Sequence, residues 1–287
     1  MSAPVHTVVD VTTPYGVMSL DRESDKKMLQ VLERGVYPND AIISLVQKFL
    51  TQTSVVVDIG AHVGTFSIPL TCARVIAFEP APETFVLLER NVARTKGVFD
   101  LRNKGLSTTP GFASLVGRVA SNAGAQTLAP GGDIEISTLD TEVEHVDFIK
   151  LDVEGMEESV LLGGKTRIST DKPTVIFEVN VSQLRAHRSS PKALERFFRQ
   201  HGYKLFLPIE GLLGVSVAKI HNLSLLTAVI APRAWFLRSD SAPFDVLAVH
   251  VDTTMPVAYS GFTTALVWAL GNNIRSKIRR VRAYMRI

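Results

Sequence analysis

The sequence predicts an α/β fold: a mostly parallel sheet with helices on both faces. Three observations carry this. From Ser54 onward, short and almost continuously apolar runs (Val55–Ile59, Val75–Phe78, Phe148–Leu151, Thr174–Phe177) alternate with stretches of helical period. Strands that are apolar on both faces are buried by helices on both sides, as in parallel sheets. The first run ends in an acidic residue and a glycine loop, and the second ends in Glu79-Pro80.

Each element follows in order. Val5 to Leu20 holds two short β-like runs broken at Pro14–Gly16, and helical patterns follow over Ser24–Arg34 and Asn39–Leu50. Asn39 and Asp40 stand where they would cap the second helix. Residues 1–50 are therefore expected to form an N-terminal cap on a main domain spanning 51–255. Helical periods at Glu83–Thr95, Met156–Leu162 and Pro191–His201 separate the buried strands. Gly111–Pro130, with Ser114, Ser121, Asn122 and Gly124, reads as a short strand and a long loop over the ligand edge of the sheet. Leu205–Leu237 is apolar but weakly patterned, and Phe244–His250 reads as a last strand with antiparallel pairing at the sheet edge. Residues 256–287 are expected to end in a basic amphipathic helix, interrupted near Gly271–Asn273.

Composition narrows the function classes. The chain has 287 residues, 46% of them hydrophobic and 21% charged, enough for one sizeable core. Its net charge of +3 is local, because Arg275, Lys277, Arg279, Arg280, Arg282 and Arg286 all lie in the tail. The remainder is slightly acidic, which argues against a nucleic-acid partner tracked by its phosphates. The basic tail, with Ile274, Ile278, Val281 and Met285 at helical spacing, suits either an anionic membrane surface or acidic partner, or packing on its own domain. A single cysteine, Cys72, permits no intramolecular disulfide. With no signal peptide read at the N-terminus, a cytoplasmic location is expected.

The chemistry concentrates at strand ends. In Val55-Val56-Val57-Asp58-Ile59-Gly60-Ala61-His62-Val63-Gly64, a buried strand runs into a loop whose glycines allow a tight turn and close backbone approach to a ligand. Alone, this is compatible with a purely structural turn. Glu79, some twenty residues on, supplies the carboxylate that binds both ribose hydroxyls in a nucleoside cofactor, and Pro80 fixes the turn after it. The loop lacks the G-x-G-x-x-G spacing of a dinucleotide site. Asp58 would repel a pyrophosphate but favours the ammonium and sulfonium of S-adenosylmethionine.

The sequence resembles the FkbM family of methyltransferases. The matching stretches are Asp58–Ser67, Ala77–Pro80, Ser137–Asp140, Asp147–Glu157, Leu161–Gly164 and Phe177–Asn180. The resemblance implies a seven-stranded, Rossmann-like sheet (the class I methyltransferase fold) and methyl transfer, most often to oxygen. It makes Asp58, Gly60, Ala61, His62, Val63 and Gly64 cofactor-loop positions, gives Glu79 and Pro80 the ribose, and puts Asn103, Gly105 and Leu106 near the adenine. Family members often have Asn where this chain has His62, so His62 either keeps a polar contact or faces solvent.

Asp152, Glu154 and Glu178 are the candidate catalytic residues. Asp152, after the fourth strand, would contact the cofactor or act as base, while Glu154 could equally cap the next helix. Asp152, Glu178 and Asn180 could also hold a hard divalent ion, a possibility that is not favoured. The expected acceptor is a hydroxyl on a sugar, glycan or small metabolite. The competing readings are an NAD-dependent oxidoreductase and a cofactor-binding scaffold without catalysis. RNA ribose methylation is disfavoured, because Lys150 has no evident companion lysine.

Overall fold

The structure, a computed structural model, describes residues 7–116, 127–211, 214–230, 243–257 and 259–260. The chain divides into two compact units, Met1–Val175 and Ile176–Ile287.

The first unit begins with an antiparallel hairpin, β1 (Val8–Thr13) and β2 (Gly16–Asp21), with Thr13 opposite Gly16. Helix α1 (Lys26–Glu33) and helix α2 (Asp40–Val46) follow, the latter running into a 3-10 turn at Gln47–Phe49. The expected cap on α2 is not formed. Asn39 takes a left-handed conformation with φ 59° and makes no side-chain cap. Asp40 instead accepts from the Tyr15 hydroxyl at 2.9 Å.

Four parallel strands form the core: β3 (Val55–Ile59), β4 (Arg74–Phe78), β5 (Val98–Arg102) and β10 (Phe148–Leu151), in the order β10-β3-β4-β5. Val56, Val57, Val75, Phe78, Phe148 and Leu151 are at most 1% exposed. Burial on both faces is why these strands read as unbroken apolar runs. Helix α3 (Pro82–Val92) opens with proline at its first position, where a missing N–H costs nothing. Its Asn91 is fully buried. It exchanges hydrogen bonds with the Ser19 backbone and donates to the Val63 carbonyl at 2.9 Å, tying the hairpin to the glycine loop.

The stretch expected as strand and loop is more ordered than predicted. Strands β6 (Gly105–Leu106), β7 (Gly111–Val116), β8 (Thr127–Pro130) and β9 (Ile134–Ser137) form a second sheet in the order β6-β9-β7-β8. Ser121, Asn122 and Gly124 lie outside the described residues. After α4 (Leu139–Glu142) and β10 come α5 (Glu157–Gly163) and α6 (Lys165–Asp171).

Strand β11 (Thr174–Val179) crosses the division. The second unit adds α7 (Val181–Ala186), α8 (Pro191–Gln200), β12 (Tyr203–Gly211), β13 (Gly214–Ile220), α9 (Leu223–Ile230), β14 (Phe244–His250) and β15 (Tyr259–Ser260). β12 pairs antiparallel with both β13 and β14, so the weakly patterned stretch opens with a hairpin. β14 is not the last strand and is not at the edge, because β15 follows it and pairs with β13. Phe177 stacks on Phe198 at 4.8 Å in the core of this unit. The tail from 261, including the expected basic helix, lies outside the described residues. No helix among the described residues is long and apolar enough to cross a membrane.

Candidate functional site

In the first unit, the carboxyl ends of β3, β4 and β10 open into a cavity of about 380 Å³. Ligands of α/β sheets bind at this edge, because the loops after the strands converge there.

Its floor is the glycine loop after β3. Gly60 has φ +83°, a conformation that L side chains rarely adopt, and the Gly60 and Ala61 amides both donate to the Phe78 carbonyl at 3.0 Å. A Cβ on Gly60 would lie 1.9 Å from the Asp152 carbonyl oxygen, so glycine alone lets β3 and β10 approach this closely. Gly64, with φ +92°, packs against Leu88 and Ile68 in the same way. Beneath the floor, Asp58 is fully buried. Its Oδ2 accepts from the Ser67 hydroxyl at 2.6 Å, while Oδ1 has no hydrogen bond and meets the Lys150 ammonium at 3.5 Å. Burial pushes the Asp58 pKa up, with Lys150 and Ser67 opposing.

Lys150 ties the floor together. From β10 its ammonium donates to the Gly60 carbonyl at 2.9 Å and lies 3.4 Å from Asp152. Sequence reasoning set this residue aside, because a lysine inside a strand signals nothing until the neighbouring strand is placed.

Glu79, at the end of β4, is 7% exposed. Its two oxygens accept from the His62 and Ala81 amides, each at 2.9 Å, which fixes the carboxylate and leaves a lone pair on each oxygen. Burial raises its pKa against the pull of His62 and these amides. Asn103 faces away from this role: its amide donates to the Glu79 and Pro80 carbonyls at 2.8 and 3.3 Å and braces the turn. Gly105 and Leu106 line the cavity, and a Cβ on Gly105 would meet Ile136 and Leu128 at 2.6 Å.

After β10, Asp152 and Glu154 both line the cavity. Glu154 is held in a left-handed conformation, φ 55°, beside Gly155 at φ 101°. Such geometry in a non-glycine residue persists only where the surroundings impose it. Burial, with Asp152 and Glu157 nearby, pushes the Glu154 carboxyl up to about 8. Glu154 does not cap the following helix. The N-cap position is Met156, which makes no side-chain cap, and Glu157, the helix's first residue, instead holds the loop before it, its Oε1 accepting from the Val153 and Gly155 amides at 3.3 and 3.2 Å. Glu157 is 2% exposed, and burial raises its carboxyl to about 7.

The remaining wall comes from the N-terminal segment (Asp25, Lys27, Met28, Val31, Pro38 and Asn39) and from Leu115 of β7 with Thr127 and Leu128 of β8. Asp25 was missed by sequence reasoning, which read the stretch around it only as a helix start. The Tyr37 hydroxyl donates to the Thr65 carbonyl at 2.9 Å and helps pin this wall to the glycine loop. Of the other expected site residues, Asp58, Val63, Gly64 and Asn103 support the cavity without lining it. Glu178 and Asn180 belong to the second unit. There Asn180 caps α7, accepting from the Gln183 amide and the Ser182 hydroxyl. Among the described residues, no group of three or more His, Cys, Asp or Glu is placed to hold a metal ion.

Comparison with known proteins covers the same part of the chain. Residues 58–205 match the methyltransferase FkbM domain, a stretch that begins at Asp58 and takes in the glycine loop, Glu79, Asp152 and Glu154. Over 130 residues the chain is 32% identical to the hexuronic acid methyltransferase AglP of Haloferax volcanii, a match covering 42% of this chain and 54% of that one. It is 24% identical over 259 residues to the AMB antimetabolite synthetase AmbE of Pseudomonas aeruginosa, which covers 71% of this chain and 12% of the synthetase. The chain thus spans about half of the first relative and a small part of the second. Among solved structures, the methyltransferase FkbM of Methylobacillus flagellatus is 22% identical with a TM-score of 0.35, covering 45% of this chain and 33% of that one. With the domain match spanning half of its length, this chain belongs to the FkbM family of methyltransferases.

Proposed function

We propose that the protein transfers a methyl group from S-adenosylmethionine to a hydroxyl on a sugar or similar small metabolite. The observation that carries the reading is the meeting of the Gly60 loop and the buried Glu79 carboxylate over one cavity within the family-matched stretch. The cavity fits the cofactor in three respects. The loop accepts close backbone approach, Glu79 keeps a lone pair on each oxygen for the ribose hydroxyls, and the carboxylates around the loop suit a cationic ligand. When bound, S-adenosylmethionine supplies an electrophilic methyl group on a sulfonium. The order β10-β3-β4-β5, in which the chain steps outward and then returns beside β3, supports the finer reading of a class I methyltransferase sheet.

The chain's own residues bind and orient. Glu79 holds the ribose. Asp152, beside Lys150, contacts the cofactor's positive end, and Glu154, uncharged at neutral pH, donates a hydrogen bond to the acceptor. Methyl transfer is an in-line displacement, so most of the rate comes from alignment of the two reactants. The 32% identity to a hexuronic acid methyltransferase supports a sugar acceptor. An NAD-dependent oxidoreductase is disfavoured, because the Gly60–Gly64 loop lacks the dinucleotide spacing and lies above buried Asp58.

The test is incubation of a metabolite extract with deuterated-methyl S-adenosylmethionine, followed by mass spectrometry. Products three mass units heavier on oxygen are expected. Binding of NAD without binding of S-adenosylmethionine would overturn the proposal.

A further inference from the structure

Asp25 and His62 form a buried pair that the cofactor site does not explain. Asp25 precedes α1, where an aspartate ordinarily caps the helix, yet its side chain makes no cap. It is 3% exposed. Its Oδ2 accepts from the Asp21 amide at 3.0 Å, and its Oδ1 lies 3.0 Å from His62 Nε2. His62 is held from the other side. Its backbone is left-handed, φ 53°, and its amide donates to Glu79. Both residues line the cavity. Nε2 and Asp25 Oδ1 are both buried and face each other at ion-pair distance without an aligned hydrogen bond, and the His62 side chain keeps 18% exposure. Asp25 lies outside the family-matched stretch 58–205, so the pair joins this chain's N-terminal segment to its cofactor loop.

We propose that His62 is the proton acceptor for the methyl acceptor's hydroxyl, and that Asp25 is its positioning residue. The inference rests on the methyltransferase reading above. A carboxylate facing Nε2 favours the tautomer with hydrogen on Nε2, which puts the lone pair on Nδ1, and it stabilises the imidazolium that forms. As the acceptor oxygen bonds to the methyl carbon, the carbon–sulfur bond breaks and its electron pair stays on sulfur. The hydroxyl proton passes to His62 Nδ1 and from there to solvent. The sulfonium charge is thereby discharged, and a neutral methyl ether leaves with a neutral thioether. The groups facing His62 are Asp25 before α1, Glu79 after β4, Lys150 in β10 and Glu154 after β10. Burial lowers the imidazole pKa, but Asp25 and Glu79 outweigh it and the net direction is upward. The neutral ring is the active form, so turnover rises with pH through this elevated value.

The experiment compares the full chain with H62N, H62Q, D25N and D25E. In ¹⁵N-histidine spectra, the signal lost in H62N identifies His62. The Nε2–H tautomer is expected, with D25N lowering the ring's pKa and D25E restoring it in part. With deuterated-methyl S-adenosylmethionine and the extract as probe, H62N and H62Q should lower the rate by about 100-fold or more, the usual contribution of a general base. Cofactor affinity by calorimetry should change less than about threefold, a free-energy difference below 0.7 kcal/mol. D25N should move the acidic limb of the pH profile to lower pH. A rate in H62N within threefold of the unaltered protein overturns the proposal, as does a parallel loss of cofactor affinity or an Nδ1–H tautomer. Absence of any product from the unaltered protein would instead sink the methyltransferase reading, and this inference with it.

Discussion

Gly60→Ala is the sharpest structural test of how the site is built. A methyl group there would be placed 1.9 Å from the Asp152 carbonyl oxygen, and 3.0 Å from its carbon. That partner is backbone, so no side chain can swing aside. An alanine at φ +83° also pays the left-handed cost, about 1–2 kcal/mol. Relieving the overlap means parting the ends of β3 and β10, and overpacking of this kind costs about 1–3 kcal/mol. Together the change should destabilise the first unit by about 2–5 kcal/mol, a drop of about 4–20 °C in melting temperature for a unit this size. Calorimetric melting measures it, and Gly111→Ala is the control. Gly111 has nothing within 4 Å of its would-be Cβ, so that variant should melt within about 2 °C of the unaltered protein. Titration with S-adenosylmethionine supplies the second readout, with at least about tenfold weaker binding expected because the loop amides move with the strand ends. If Gly60→Ala melts like Gly111→Ala and binds normally, then the close approach of these strands does not shape the site.

Glu157→Gln tests a buried carboxyl whose pKa stands at about 7 against an ordinary 4.5. The folded state holds this proton more tightly than the unfolded one, so stability falls as pH rises from 4.5 to 7, by about 3 kcal/mol at most. The variant should show a shallower loss of melting temperature between pH 5 and 8, with Glu154 retaining a slope of the same sign, and an unchanged slope would refute the assignment. Lys150→Met removes the donor to the Gly60 carbonyl and leaves Asp58 buried without a countercharge, at a cost of about 3–5 kcal/mol in urea unfolding. Adding Asp58→Asn should recover part of that loss, and strictly additive effects would show that the pair is not coupled. Glu79→Ala should weaken S-adenosylmethionine binding by about tenfold or more in calorimetry, since two charge-assisted bonds to the loop and those proposed to the ribose go together. Retained affinity would remove Glu79 from the site.

The parallel core was legible because its pattern is local. Val56, Val57, Val75 and Phe148 are buried whichever way they point, so the runs announce themselves. The same physics hid the hairpin of the second unit. In β12, Leu205, Phe206 and Leu207 are all at most 1% exposed, and an apolar run without alternation does not say where a strand turns. Strand β8 was hidden for the opposite reason. The short strand expected in this stretch is β7, half exposed with Phe112 at 64%, and its partner β8 lies beyond residues 117–126, so no local pattern links the two. Glu79 and the glycine loop could be read from spacing, because the strand-turn-helix unit imposes it. Lys150 and Asp25 could not. Their meaning comes from a neighbouring strand and from a loop 37 positions away, contacts that leave no periodic trace.

The charges around the cavity decide what kind of ligand it favours. Asp25, Glu79, Asp152 and Glu154 line it and Asp58 lies beneath, against Lys27, Lys104, Lys150 and His62. Lys104 is engaged elsewhere, by Glu135 and Glu142 at 2.8 and 3.1 Å. Lys150 is shared between two carboxylates and the Gly60 carbonyl. The excess is therefore acidic, and burial has already raised Asp58, Glu79 and Glu154 towards protonation. A unit charge about 4 Å from one of these groups is worth about 4 kcal/mol at the effective dielectric near a protein surface. A pyrophosphate would meet that energy with the unfavourable sign at several groups at once. A sulfonium meets it with the favourable sign. A fold can serve dinucleotides and sulfonium cofactors alike, and the carboxylates that this cavity holds without full compensation suit the sulfonium proposed above.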